Sequence, residues 1–249
     1  MIALKTAREL VCMKDAGRIS AEALLVAGEH CKPGVSTYEI DCAVHDYIVA
    51  QGATPSFLHY NGFPASSCIS VNDTVIHGIP NRKTILKEGD IVSVDVGACY
   101  HGYHGDNAFT FPVGDISPEA TKLLEITQQG LAAAIAVATV GNRIGDVSHA
   151  VEAVAAPGGY GIVREFVGHG VGKQLHEEPE VPNFGKAGHG VRLVAGMVIA
   201  IEPMINQTGA QVKQMPDGWT VKTADGGLSA HFEHTVAITK DGPLVLTKA

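Results

Sequence analysis

Glu88-Gly89-Asp90-Ile91-Val92-Ser93-Val94-Asp95 lines up with Ala195-Gly196-Met197-Val198-Ile199-Ala200-Ile201-Glu202, 107 residues further on. Each copy reads as a glycine-containing turn, an apolar strand and a closing acid. The same offset sets Gly34 on Gly141, each ahead of a helical pattern. Both halves then run helix, turn, helix, strands. The expected architecture is two related halves packed about a pseudo-twofold axis, with Asp95 and Glu202 facing each other across it. Chance is the alternative for an alignment this short.

Working outward, Thr6 with Glu9 forms a capping box ahead of an amphipathic pattern that reaches about Glu29. Pro33-Gly34 breaks that pattern. Ser36 with Glu39 opens a second helix to about Ala50. Ser117-Pro118-Glu119 starts a third, which ends by Gly141, and a fourth runs from about Gly145 to Ala156. Residues 57–80 read as strands and loops. Strands are expected at 91–96 and 103–112, and near 161–168, 197–202 and 230–239. The class is α/β, and no low-complexity linker divides residues 1–249, so one domain is expected.

Of the 249 residues, 45% are hydrophobic, enough for a large core. The net charge of −8 gives no basic stripe for nucleic acid. The opening MIALKTAREL lacks the pattern of a signal peptide, and the longest apolar run, near Leu131–Val140, is too short to span a bilayer. The cysteines (Cys12, Cys31, Cys42, Cys68, Cys99) contain no CxxC pair and read as reduced thiols in a cytoplasmic protein.

The acids carry the chemistry. Val92, Val94 and Val96 alternate with Ser93 and Asp95, the period of a strand with one apolar face. If the following turn centres between Tyr100 and His101, Asp95 lies opposite Asp106. Carboxylates that close repel unless a cation or a proton lies between them. Taken alone, the hairpin is read more readily as two solubilising acids facing solvent. The second half argues otherwise. Glu202 closes an almost wholly apolar strand, and a buried carboxylate needs a partner. Glu233 sits in His231-Phe232-Glu233-His234-Thr235-Val236, pointing away from Phe232 and Val236. His169 is flanked by glycines in Val167-Gly168-His169-Gly170-Val171. Four carboxylates balance two divalent cations, and mostly oxygen donors with one imidazole suit Mn, Fe(II) or Co, with Zn a further choice. His77 and His176 precede Asp95 and Glu202, one per repeat. A satisfied structural histidine is the plain alternative for each.

Together these segments resemble methionine aminopeptidase over nearly the whole chain. The resemblance rests on Asn61-Gly62-Phe63-Pro64, Cys68-Ile69-Ser70-Val71-Asn72, His77-Gly78-Ile79-Pro80, Gly105-Asp106, Gly168-His169-Gly170-Val171-Gly172, His176-Glu177-Glu178-Pro179, Glu202-Pro203 and Glu233-His234-Thr235, with Gly89–Val92 and Asp95. Each is weak alone; in this order and spacing they are specific. The 25 residues between His176 and Glu202 match the short type 1 form.

The resemblance implies the pita-bread fold, a central antiparallel sheet flanked by helices. It implies Asp95, Asp106, His169, Glu202 and Glu233 as ligands of two divalent cations, with Asp106 and Glu233 bridging. His77 and His176 would contact substrate, and Glu202 would relay a proton to the leaving amine. Phe57, Tyr60, Phe63, Cys68, Leu175 and Trp219 would line an apolar pocket, and a monovalent cation is expected near Asn72 and Ser229. Phe57 stands where many bacterial members carry cysteine, and Leu175 where they carry phenylalanine; the two exchanges could compensate in volume. The implied substrates are nascent N-terminal peptides with a small second residue. The implied state is a cytoplasmic monomer, with ribosome contact possible and no membrane or direct nucleic-acid partner. An Xaa-Pro aminopeptidase or prolidase on the same fold is the alternative enzyme. A binding domain that has lost catalysis is the alternative class.

Overall fold

The computed structural model describes residues 2–249. Four helices carry the outer layer: α1 (Ala7–His30), α2 (Thr37–Ala50), α3 (Pro118–Val137) and α4 (Ile144–Ala155). Three begin where the sequence places side-chain caps, with Thr6, Ser36 and Ser117 oxygens accepting from Glu9, Glu39 and Ala120 N–H. At α4 the acid alone closes the start: Arg143 N–H donates to Asp146 Oδ2 at 2.7 Å.

The repeat is a true structural repeat. Gly34 N–H donates to Leu86 O and Leu86 N–H to Val35 O. Exactly 107 residues on, Gly141 N–H donates to Leu193 O and Leu193 N–H to Asn142 O. The bridge Ser36 with Ile85 likewise recurs as Arg143 with Arg192. Gly34 and Gly141 turn with φ of 91° and 99°, a region that side chains disfavour.

Strand Ile91–Tyr100 is the spine of the first half. Ser67–Val71 pairs along one edge and Tyr103–Pro112 along the other, both antiparallel. Its counterpart, Val198–Ile201, lies between Gly168–Gly170 and His234–Thr239, with Glu177–Val181 and Gly242–Val245 outermost. The halves meet where Tyr103–Pro112 adjoins the 231–239 segment. There Asp106 N–H donates to Thr235 Oγ1 at 3.0 Å, and Glu233 N–H to Ala108 O at 2.9 Å.

Alternation decides which side chains face the helices. Val92, Val94 and Val96 pack with Ile19, Ile40, Val44 and Ile48 of α1 and α2. Ile199, Ile201 and Val236 pack with Leu123, Leu131, Val147 and Val151 of α3 and α4. Ser93, Asp95 and Gly97, and on the other side Glu202, are left facing away from those cores, toward the middle of the molecule.

Several boundaries differ from expectation. The hairpin turn is His101-Gly102, both at positive φ (51° and 76°), with Tyr100 paired to Tyr103. Two positive φ values suit the two-residue turns whose twist matches that of the flanking strands. Asp95 therefore lies opposite Ala108, and Asp106 opposite Gly97. The expected strand near 161–168 shortens to Gly161–Ile162, and that at 230–239 breaks at Phe232-Glu233, where the backbone crosses to Ala108.

Candidate metal centre and pocket

Asp95 and Asp106 share the inward face of the hairpin, because a register shift of two residues preserves the face. Glu202 follows its strand, and Glu233 sits in the strand break. His169 lies in the Gly168–Gly170 strand, between glycines that leave no space for a Cβ against Ala200 O and Glu178 O. One donor atom each from Asp106, His169 and Glu233 lies within 4.8 Å of the others. This approaches the spacing around a cation bonded at about 2.0–2.2 Å. His169 Nε2 is 3.5 Å from Glu202 Oε1 and 3.8 Å from Asp106 Oδ2. Its Nδ1 is 2.9 Å from Gly170 O, so we assign the proton to Nδ1. Nε2 then turns a lone pair toward the carboxylates, the usual arrangement for a histidine ligand.

The electrostatics fit divalent cations. Burial first, then neighbouring acids, push the Asp95, Glu202 and Glu233 carboxyls well above the ordinary range; burial raises Asp106 to about 7. Two like charges 4 Å apart cost about 4 kcal/mol at an effective dielectric near 20. Four such groups stay charged together only with positive charge among them. Asp95 Oδ1, Asp106 Oδ1 and Glu233 Oε1 are buried with no hydrogen-bond partner in the protein, as oxygens reserved for a cation would be. Burial lowers His169 to about 3, and neutral imidazole is the ligating form.

His176 covers the cage. Its ring lies 4.1 Å from that of His169, and its Nδ1 is 2.9 Å from the Tyr60 hydroxyl. Its outer edge is open to solvent, yet the cleft walls desolvate it and lower its basicity. With Nδ1 accepting from Tyr60, the ring presents Nε2–H inward. His77, pushed by burial to about 4, stands edge-on to Trp219 and Phe166.

Phe57, Phe63, Ala65, Cys68 and Leu175 form one apolar cluster with Tyr60 and Trp219. Cys68 pairs with Asp95 across the sheet, which ties this cluster to the cage. All thirteen residues expected at the metal, substrate and catalytic positions line a single cavity of about 330 Å³. Asn72 and Ser229 are also neighbours, through a 2.9 Å bond from Ser229 N–H to Asn72 O.

Three contributors escaped the sequence reading. Phe166 lines the cavity beside His77. Asn183 Nδ2 donates to Glu202 O at 3.0 Å. His231, only 2% exposed, places Nε2 3.6 Å from Glu202 Oε2. The signal for His231 was its spacing of two from Glu233; Phe166 and Asn183 sit in irregular segments that carry no such signal.

A family model described as metallopeptidase family M24 matches residues 11–240. A methionine aminopeptidase of Clostridium perfringens is 51% identical over 247 residues, covering 99% of both chains. The crystal structure of methionine aminopeptidase from Thermotoga maritima superposes with a TM-score of 0.98 at 42% identity, covering both chains fully. The prolidase from Pyrococcus furiosus superposes with a TM-score of 0.78 at 26% identity, covering 99% of this chain and 65% of that one. The fold is that of the pita-bread class of metal-dependent peptidases. Within that class, the chain belongs to metallopeptidase family M24.

Proposed function

We propose that this chain removes the N-terminal methionine from polypeptides, hydrolysing the first peptide bond at a centre of two divalent cations. One observation carries the reading: the acidic cage and the apolar cluster open into the same cavity. A methionine side chain suits the apolar part, and its carbonyl then falls beside His176 and the carboxylates. The relatives' names agree with this reading over full length.

Asp95, Asp106, His169, Glu202 and Glu233 would hold the cations. Mostly oxygen donors and one imidazole suit Mn, Fe(II) or Co, and Zn is compatible. When bound, such cations supply Lewis acidity and acidify water. The protein's own groups do the rest. Glu202, whose proton affinity burial raises, accepts a proton from the attacking water and passes it to the leaving amine. His176 donates from Nε2 to the oxygen that gains charge, and Tyr60 holds its ring. His77, which lines the same cavity, would contact the substrate.

The M24 match spans most of the chain and the cavity needs no second subunit, which supports one catalytic domain working as a monomer. No helix among the described residues is long and apolar enough to cross a membrane. All five cysteines are free thiols, which suits a reducing cytoplasm. A monovalent cation beside Asn72 and Ser229 belongs to the same proposal.

Metal-stripped protein assayed on Met-Ala-Ser with Mn, Co, Fe(II) or Zn returned should release free methionine and rank the ions. Leucine- and norleucine-starting peptides test the pocket shaped by Phe57 and Leu175. Equal rates on leucine and methionine would sink the methionine assignment, and release confined to Xaa-Pro peptides would make this chain a prolidase-like enzyme.

A further inference from the structure

The loop from Gly172 to His176 has no regular secondary structure, yet it carries Leu175 into the apolar pocket and His176 over His169. Its geometry must come from tertiary contacts. His104 N–H donates to Gly172 O, and Gly172 N–H to Gln174 O. Gln174 N–H donates to Glu177 Oε1 at 3.2 Å. Glu177 Oε2 in turn meets Lys5 Nζ at 2.5 Å. Lys5 comes from the arm ahead of α1, and its own N–H donates to Gly196 O.

This pair is unusual in its burial: the side chains are 4% and 14% exposed. Lysine is almost never buried without a partner. Removing two charges from water costs much of what their attraction returns, so a buried pair contributes little net stability. What it does supply is a defined position. Gly172 shows how closely the three segments fit: a Cβ there would stand 2.4 Å from Glu177 Oε1 and 2.6 Å from Lys5 Cε. Lys5 Nζ also donates to Ala3 O at 3.0 Å, so the arm itself is fastened at the same point.

We propose that Lys5 and Glu177 are positioning residues for the reaction: their ion pair anchors the 172–176 loop so that His176 and Leu175 meet the substrate in register. The N-terminal arm is thereby part of the catalytic apparatus, although Lys5 touches no substrate. The inference rests on the peptidase reading above, and its test separates the two.

Lys5→Met and Glu177→Gln in the full chain should lower kcat on Met-Ala-Ser by about tenfold to a hundredfold, the scale of a remote misplacement near 1 Å. Divalent-ion affinity by calorimetry should stay unchanged, because all five expected ligands lie outside the loop. Amide hydrogen exchange should quicken at residues 172–177 and not in Ile91–Tyr100. The exchanged pair Lys5→Glu with Glu177→Lys should recover part of the loss. Glu177→Gln keeps the shape but has one acceptor oxygen where Glu177 uses two, so it removes the ion pair with little change in volume and reads the effect if Lys5→Met does not fold. Full kcat in a folded variant overturns the proposal; so does a joint loss of activity and ion affinity, which would place the pair in support of the cage. If wild-type protein released no methionine, the peptidase reading would fall, while local exchange would still report whether the pair anchors the loop.

Discussion

Asp106 stands directly opposite Gly97 on the hairpin, two residues out of step with Asp95, which stands opposite Ala108. The offset separates the two carboxylates diagonally along one face. It also puts a residue without a side chain beside Asp106. Phe57 occupies that space: a Cβ on Gly97 would lie 2.8 Å from Phe57 Cε1 and 2.8 Å from Ser56 Cβ.

Gly97→Ala should therefore push Phe57 into the cavity. Overpacking of this kind costs about 1–3 kcal/mol. The expected result is a KM for Met-Ala-Ser raised about tenfold or more, with divalent-ion binding retained. Steady-state kinetics and calorimetry on one preparation check it; an unchanged KM would mean that Phe57 does not shape the pocket.

Asp106→Asn should affect function and stability in opposite directions. Its carboxylate is the acid that raises Glu202 and Glu233 most among their neighbours, after burial itself. Without it, divalent ions should bind at least a hundredfold more weakly, exceeding the 10–100-fold typical of groups that merely support a ligand. Methionine release should fall with ion binding. The ion-free protein should melt higher than wild type at pH 8, since the buried negative charge that Asp106 carries there is gone. Calorimetric titration and thermal melts in chelator read both effects.

Tyr60→Phe removes the hydroxyl at His176 Nδ1 and leaves the ring stacked 5.2 Å away. A hydrogen bond of this kind is worth about 0.5–1.5 kcal/mol. We expect kcat to fall roughly threefold to tenfold with KM and ion affinity little changed. A large rise in KM instead would assign Tyr60 to the pocket wall alone.

Ion-free protein should lose stability as pH rises through about 7. The raised carboxyls, Asp106 at about 7 and Asp95, Glu202 and Glu233 well above the ordinary carboxylate range, keep protons in the folded state that unfolded acids have already lost. The folded chain then binds more protons than the unfolded one, and stability falls with rising pH. Below pH 6.5 the depressed histidines His77, His169 and His231 act in the opposite sense, because the unfolded chain takes up protons that they refuse. Above pH 6.5 those histidines are largely neutral in both states, so the decline through about pH 7 is the clean window. Saturating divalent ion should abolish that decline, and melts with and without ion test this directly.

Much of this was legible from local signals. The capping boxes at Thr6 and Ser36 fixed helix starts because a cap is a contact between residues three apart. The repeat set Asp95 against Glu202 because duplicated halves fold alike. The turn was not legible to the residue: His101-Gly102 takes two positive φ values, and an alternating pattern reads the same after a shift of two. His231 went unnoticed although it stands two residues from Glu233 in the expected strand, because its approach to Glu202 is a contact between remote segments.

The order of elements, the inward faces of the strands and the identity of the acids were determined by the sequence itself, through periods of 2 and 3.6 and contacts within a few residues. Tertiary structure alone decided that Asp95, Asp106, His169, Glu202 and Glu233 share one cavity with Phe57, Cys68 and Leu175. It alone brought Lys5 to Glu177, 172 positions away, to fasten a loop with no local reason to hold its shape. Spacing along a chain sets which way a side chain points, whereas distance between remote segments follows only from how whole layers pack.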